Sequence, residues 1–263
     1  MRKTGKVAIA KNNEELRGRV MIMQNELTYI VFTDFDGTIS VRDIGDAMFE
    51  QFGDADECGK IFELYRTEKI SARECWKRGC ASVPSITENK LTLFALMQSV
   101  DKDFKAFTQY CHANNIPIIV LSDGFDAYIN PVLKKAGLEW LPRFSNRLQF
   151  NSDGTIEPIF PHTDAECTRC ANCKRNHMLT KASDQQVIVY IGDGYSDRCP
   201  AQFADVVFAK GSLVGFCETN NITFHRFEAF ADVLAKFRLM VEKGKPRKRR
   251  TAELARKDIF MME

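Results

Sequence analysis

Apolar and polar positions change their spacing twice along the chain. From Leu27 to Thr33 the run Leu-Thr-Tyr-Ile-Val-Phe-Thr is almost continuously apolar, β-branched or aromatic and stops at an Asp-rich turn, the pattern of a strand buried on both faces of a parallel sheet. Between Asp43 and Asn115 the spacing becomes helical. Ile44, Met48, Phe49 and Phe52 form one stripe, and Ile61, Leu64 and Tyr65 form another. Pro84 and the Ser-Ile-Thr-Glu after it read as a turn into a further helix, capped by Ser85 or Thr87. No strand is expected in this stretch. Strand signals return at Ile116–Leu121, Leu148–Phe150, Val187–Ile191 and, briefly, Val206–Phe208, with room for a helix between most of them. Asn151-Ser152-Asp153-Gly154, between two short strand-like runs, predicts a hairpin. The expected class is α/β, a mostly parallel sheet with helices on its faces.

Composition narrows the picture. With 263 residues, 44% hydrophobic and 20 of them Phe, the chain can bury a large core, which sets disordered and fibrous classes aside. Apolar runs such as Ile116–Leu121 are far shorter than the roughly 18 residues a spanning helix needs, so no membrane is expected as a partner. The first twenty residues lack the apolar core of a secretory signal, and nine cysteines, an odd number, fit a reducing compartment. A cytoplasmic location follows as an expectation. Lys243 to Lys257 holds eight basic residues and one acidic one against a net charge of +2 for the whole, which leaves the remainder mildly acidic. Contact with nucleic acid or anionic lipid is one reading of that tail; a solvated terminal helix or frayed end is the one adopted.

Ligands of open α/β sheets bind beyond the carboxyl ends of the strands, and three such ends are polar in a coordinated way. After the first strand comes Asp34-Phe35-Asp36-Gly37-Thr38. Side chains two apart in extended chain point the same way, so Asp34 and Asp36 can aim at one point, where their repulsion asks for a cation. Ser122-Asp123-Gly124 follows the second signal and offers a hydroxyl and backbone N–H groups to an oxyanion. Gly192-Asp193-Gly194-Tyr195-Ser196-Asp197 adds two carboxylates. Hard oxygen ligands favour Mg²⁺, with Asp34, Asp36, Asp193 and Asp197 as its candidate holders.

Asp34-x-Asp36-Gly37-Thr38, then Ser122, Lys174 and Gly192-Asp193-Gly194-x-x-Asp197, taken in that order, resembles the four-motif set of the haloacid dehalogenase superfamily of phosphatases. The resemblance implies a Rossmann-like, mostly parallel sheet with a helical cap inserted after the first strand. It divides the chain into a core at 27–42 and 116–240, a cap at 43–115, a polar extension at 1–26 whose true start is Met1, Met21 or Met23, and a basic tail at 241–263. It also implies roles. Asp34 is the nucleophile that becomes an aspartyl-phosphate, and Asp36 is the acid and base, its backbone carbonyl helping to hold Mg²⁺. Thr38, Ser122, Asp123, Gly124 and Lys174 contact the phosphoryl group, and Asp193 with Asp197 completes the metal site. The cap's size resembles the phosphoserine-phosphatase-like subgroup. Asp43 stands where phosphoserine phosphatases have a Glu for the substrate amine, and a Cys-rich segment before Lys174 is similar to that of methionine-salvage phosphatases.

Cys167, Cys170, Cys173 and His177 have the spacing C-x2-C-x2-C-x3-H, with His162 close by, and are candidate ligands of a structural Zn²⁺. Free thiols and an iron–sulfur centre are the alternatives. The other cysteines read as small buried hydrophobes, and Met48, Phe49 and Phe52 as cap core. The expected activity is Mg²⁺-dependent hydrolysis of a small phosphorylated metabolite through an aspartyl-phosphate. The candidate substrates are the methionine-salvage enol phosphate, phosphoserine, phosphoethanolamine and phosphocholine. A metal- and nucleic-acid-binding module is the rival of another class; it leaves the convergent Asp, Ser and Lys positions without a purpose.

Overall fold

A computed structural model of the chain describes residues 27–165 and 167–261; the expected polar extension at 1–26 lies outside them. Seven strands, β1 (Thr28–Thr33), β2 (Ile118–Phe125), β3 (Arg143–Phe150), β4 (Ile156–Ile159), β5 (Gln186–Gly192), β6 (Val206–Ala209) and β7 (His225–Arg226), form one sheet in the order β4-β3-β2-β1-β5-β6-β7. Neighbours are parallel except β3 and β4, which form the expected hairpin. Along β1, Tyr29 and Val31 join one core, and Ile30 and Phe32 the other. Burial on both faces is why the strand reads as a continuous apolar run.

Five helices lie between β1 and β2: α1 (Ile44–Phe52), α2 (Ala55–Arg66), α3 (Ala72–Ala81), α4 (Glu88–Met97) and α5 (Phe104–Ala113). Side chains of Asp43, Asp54, Ser71 and Thr87 accept backbone N–H bonds at the starts of the first four. Thr87, and not Ser85, caps α4. Met48 and Phe49 are fully buried, with Phe52 packed against the same cluster, as expected for cap core. The boundary at 115 needs correction. A bridge pairs Ser40 with Val100, and α5 lies on the sheet, where Phe104 and Phe107 pack on Phe230 of α10 (Phe230–Glu242). Their rings belong to the main core, so the helical insertion ends near residue 100.

α6 (Asp126–Lys135) covers the same face as α5 and α10, while α7 (Lys174–Lys181), α8 (Arg198–Phe203) and α9 (Gly211–Thr219) cover the other through Met178, Ala201 and Leu213. The basic tail is corrected as well. It holds α11 (Arg250–Phe260), docked on α8 with Ala252 fully buried. Arg256 meets the buried Asp205 carboxylate at 2.8 Å, and the Arg249 guanidinium donates to the carbonyls of Ala201 and Gln202. A buried carboxylate needs a cation, and Arg256 supplies it from within the chain. Among the described residues no helix is long and apolar enough to cross a membrane.

Because β1 sits between β2 and β5, the chain leaves it first to one side and later returns to the other. The loops beyond β1 and β5 therefore part, and a crevice opens at their carboxyl ends.

Candidate active site

Asp34 follows β1 directly, and its N–H donates to the carbonyl of Ile191 on β5, which ties the two strand ends together. Gly37 turns the chain at φ +70; a Cβ there would stand 2.8 Å from Asp193 Oδ2. Asp34, Asp193 and Asp197 each bring a carboxylate oxygen within 4.8 Å of the others, the one such metal-capable group among the described residues. Lys174 lies in the first turn of α7, where the helix dipole disfavours a cation, and two carboxylates offset that: Nζ is 2.6 Å from Asp34 Oδ1 and 2.7 Å from Asp197 Oδ1. Burial of Lys174, only 2% exposed, opposes its charge, but Asp197 and Asp34 outweigh it and hold the ammonium protonated. Burial, then the charge of Asp197, pushes the Asp34 carboxyl up, while Lys174 pulls it down.

Asp197 has both oxygens spent. Oδ1 accepts from Lys174 and from Tyr190 at 2.5 Å, and Oδ2 accepts the N–H groups of Asp193 and Gly194, both at 2.9 Å. It orients the loop and the lysine, leaving Asp34 and Asp193 as the carboxylates with capacity for an ion. Thr38, expected on phosphate, donates instead to Asp193 Oδ1. Its fully buried hydroxyl is thereby used up, which corrects that expectation. Asp193 is pushed up to about 6, by burial first and then by Asp197.

Asp36 points away from that cluster. Its carboxylate accepts from the Ile44 N–H at 3.1 Å, the Tyr128 hydroxyl at 3.0 Å and Ser122 Oγ at 3.2 Å. Burial pushes it up to about 6 against those donors. Its side chain is thus not a metal ligand, and only the backbone of Asp36 is left for that role. Ser122 is buried between Asp36 and the Gly124 N–H, which donates to its Oγ at 2.9 Å. Asp123 Oδ1 accepts the Asn172 N–H at 3.0 Å. A carboxylate repels phosphate, so Asp123 could serve an anion through its backbone alone.

A cavity of about 400 Å³ lies between the sheet and the helical insertion. Asp34, Asp36, Asp123, Gly124 and Asp193 form its floor, while Phe62, Tyr65, Arg66, Trp76, Asp43 and Asp46 come from the insertion. Asp43 is exposed to water across the open cavity. Its Oδ1 caps α1 by accepting the Asp46 N–H at 2.8 Å; burial, then Asp36 and Asp46, raises its proton affinity well above the usual carboxylate range.

The proposed zinc ligands are not gathered. His177 stacks on Phe144 with centroids 4.1 Å apart, and its Nε2 is 2.8 Å from Asn172 Oδ1. Cys173 instead points its sulfur toward Asp164 at 3.9 Å. All nine cysteines are free. Sequence reasoning missed Tyr128, Tyr190 and Asn172. A signal existed for two of them: Tyr128 lies one helical turn beyond Gly124, and Tyr190 lies two residues before Gly192.

A metal-capable carboxylate pair, a buried lysine and a separate protonatable carboxyl at the crevice of a parallel sheet define a hydrolase built for anionic esters. A family model described as haloacid dehalogenase-like hydrolase matches residues 31–202, and the chain belongs to that family. It is 30% identical over 219 residues to a 2-hydroxy-3-keto-5-methylthiopentenyl-1-phosphate phosphatase of Bacillus cereus, a match covering 81% of this chain and 97% of the relative. A polyol phosphate phosphatase of Saccharomyces cerevisiae is 27% identical, with 80% and 92% covered. Among solved structures, a phospho-aspartyl intermediate analogue of phosphoserine phosphatase shares the fold with a TM-score of 0.62 at 16% identity, covering 81% of this chain and 99% of that one. The chain is a phosphatase of this family.

Proposed function

We propose that the enzyme hydrolyses a small phosphomonoester through covalent catalysis by Asp34. The observation that carries the reading is the division of labour between two carboxylates two residues apart. Asp34 faces the cavity beside the Lys174 ammonium, while Asp36 is held off the cluster with its carboxyl pushed up to about 6. One is poised as a nucleophile and the other as a proton carrier near neutral pH.

An Asp34 oxygen attacks phosphorus and displaces the alcohol, to which Asp36 gives its proton. Asp36 then takes a proton from water, which attacks the acyl phosphate, releases inorganic phosphate and restores Asp34. Lys174 stays charged throughout and offsets the negative charge of the transferring group. The hard-oxygen donors Asp34 and Asp193 suit Mg²⁺, which when bound would neutralise phosphoryl charge.

A cavity of this size accommodates a small metabolite ester. The methionine-salvage enol phosphate is the first candidate: the Phe62, Tyr65 and Trp76 wall suits a thioether, and a relative at 30% identity is named for that reaction. Oxygens of Asp43 and Asp46, with the aromatic rings beside them, suit a cationic head group and support a second reading, an amine ester such as phosphoethanolamine or phosphocholine. The free thiols support a reducing, cytoplasmic setting. Phosphate release with Mg²⁺ should be measured on these esters, phosphoserine and sugar phosphates, with Asp34→Asn beside wild type. Turnover of one ester, lost by more than about 10³-fold in Asp34→Asn with the melting temperature maintained, is the expected result. A variant that keeps its rate overturns the nucleophile.

A further inference from the structure

The loop from Cys167 to Cys173 supplies no group to the phosphate chemistry, yet it joins the helical insertion to the segments that follow β2 and β5. Its first half latches the helical insertion. The Ala72 N–H donates to the Arg169 carbonyl at 2.8 Å, and the Arg73 guanidinium donates to the Cys167 carbonyl at 3.1 Å. Arg169 itself reaches Glu68 at 3.0 Å and the Tyr195 hydroxyl at 3.1 Å. Its second half holds the floor. Asn172 donates to Asp123 and, through its amide, to the carbonyls of Ser122 and Phe144, and Lys174 follows one residue after Cys173.

Inside this loop Cys167 and Cys170 stand at C-x2-C spacing, and Cys170 and Arg169 favour the thiolate form of Cys167. Both cysteines are partly exposed and line a second cavity of about 320 Å³, which adjoins the catalytic one along Tyr65, Tyr195 and Arg198. The cavity gives a small oxidant access to both sulfurs. The same two residues, with Arg175 nearby, push the Cys167 thiol down to about 5 against its burial, and Cys170 is raised, so one sulfur is a ready nucleophile and the other still carries its proton.

We propose that Cys167 and Cys170 are an oxidation site whose disulfide loosens the latch between the helical insertion and the core. The oxidant class is a peroxide. The Cys167 thiolate attacks one peroxide oxygen, the O–O bond breaks, and a sulfenic acid forms with loss of hydroxide; sulfur is oxidised and oxygen reduced. The Cys170 sulfur then attacks the sulfenic sulfur, its proton leaves with the departing oxygen as water, and the S–S bond forms. The S–S bond closes the loop and removes the thiolate charge, so the backbone that presents the Cys167 and Arg169 carbonyls shifts away from Arg73 and Ala72.

The full-length protein should be treated with hydrogen peroxide and then with dithiothreitol, beside the Cys170→Ser variant. Peptide mass spectrometry should find a Cys167–Cys170 disulfide that is reversed by the thiol. Amide hydrogen exchange of the peptide containing Ala72 should rise about tenfold on oxidation, the equivalent of one to two latch bonds, and stay unchanged in Cys170→Ser. Oxidation confined to other cysteines, or a Cys167–Cys170 disulfide that leaves Ala72 exchange unaltered, overturns the proposal. A KM raised by oxidation with kcat less affected is also expected; this arm rests on the phosphatase reading, whereas the exchange and mass measurements do not.

Discussion

Asp36 carries three hydrogen-bond donors, and each of them favours its charged form, so burial alone accounts for a carboxyl pushed up to about 6. The sign of one perturbation follows. Tyr128→Phe removes a donor to the carboxylate, so the Asp36 value should rise, and the alkaline limb of the kcat/KM profile, where the acid form is lost, should move to higher pH. A limb that stays or moves down contradicts the acid role. Asp123 offers a stability counterpart. Burial raises it from 3.8 to about 6, against Lys174 and the Asn172 N–H. A folded value above the unfolded one gives stability that is complete below about pH 4 and lost as pH rises through about 6. Asp123→Asn should therefore gain on wild type across that window, by on the order of 2 kcal/mol in denaturant titrations at about pH 4 and 7. At this scale the sequence showed which residues carry charge. It did not show which oxygens were already spent, because hydrogen bonds such as Thr38 to Asp193 join residues far apart in the chain.

At the scale of elements, the turn from β2 into α6 is the tightest place in the site. A Cβ on Gly124 would stand 1.8 Å from the Tyr128 hydroxyl and 2.5 Å from Asp36 Oδ2. Gly124→Ala should therefore displace the acid and lower kcat by about 10²-fold or more in a steady-state assay. Gly215 is the control: nothing lies within 4 Å of its Cβ position inside α9, and Gly215→Ala should raise stability by about 0.5–1 kcal/mol at unchanged rate. The docked C-terminal helix gives another test. Asp205 accepts from Ile188 N–H, Arg249 N–H and Arg256. Asp205→Ala strands a partly buried guanidinium and should destabilise by about 3–5 kcal/mol in chemical unfolding. Strand signals were legible where both faces are buried, whereas β7, two residues long, leaves no period to read.

For the whole molecule, three carboxylates from two strand ends converge on one point, and the single Lys174 ammonium between Asp34 and Asp197 balances only part of their charge. Adding Mg²⁺ should raise the melting temperature at about pH 7 and a chelator should reverse it. The gain should shrink at about pH 5, where Asp193, pushed up to about 6 by burial and Asp197, is largely protonated. An ion-independent melting curve contradicts the metal reading. The insertion and core meet through the loop before Lys174, through Tyr65 on Tyr195 and through Trp76 on Phe125, so access to the cavity depends on contacts that no single segment contains.

The sequence by itself determined the α/β class, the three polar strand ends and the order of the motifs, because a doubly buried strand must be apolar and a sharp turn beyond it must be polar. Tertiary structure alone decided that both Asp197 oxygens are taken by hydrogen bonds, that His177 pairs with Asn172, and that α5 and the basic tail pack on the core. The physical reason is the same in each case. A side chain's chemistry is local, but the partners that satisfy or burden it are set by which distant segments the sheet brings together.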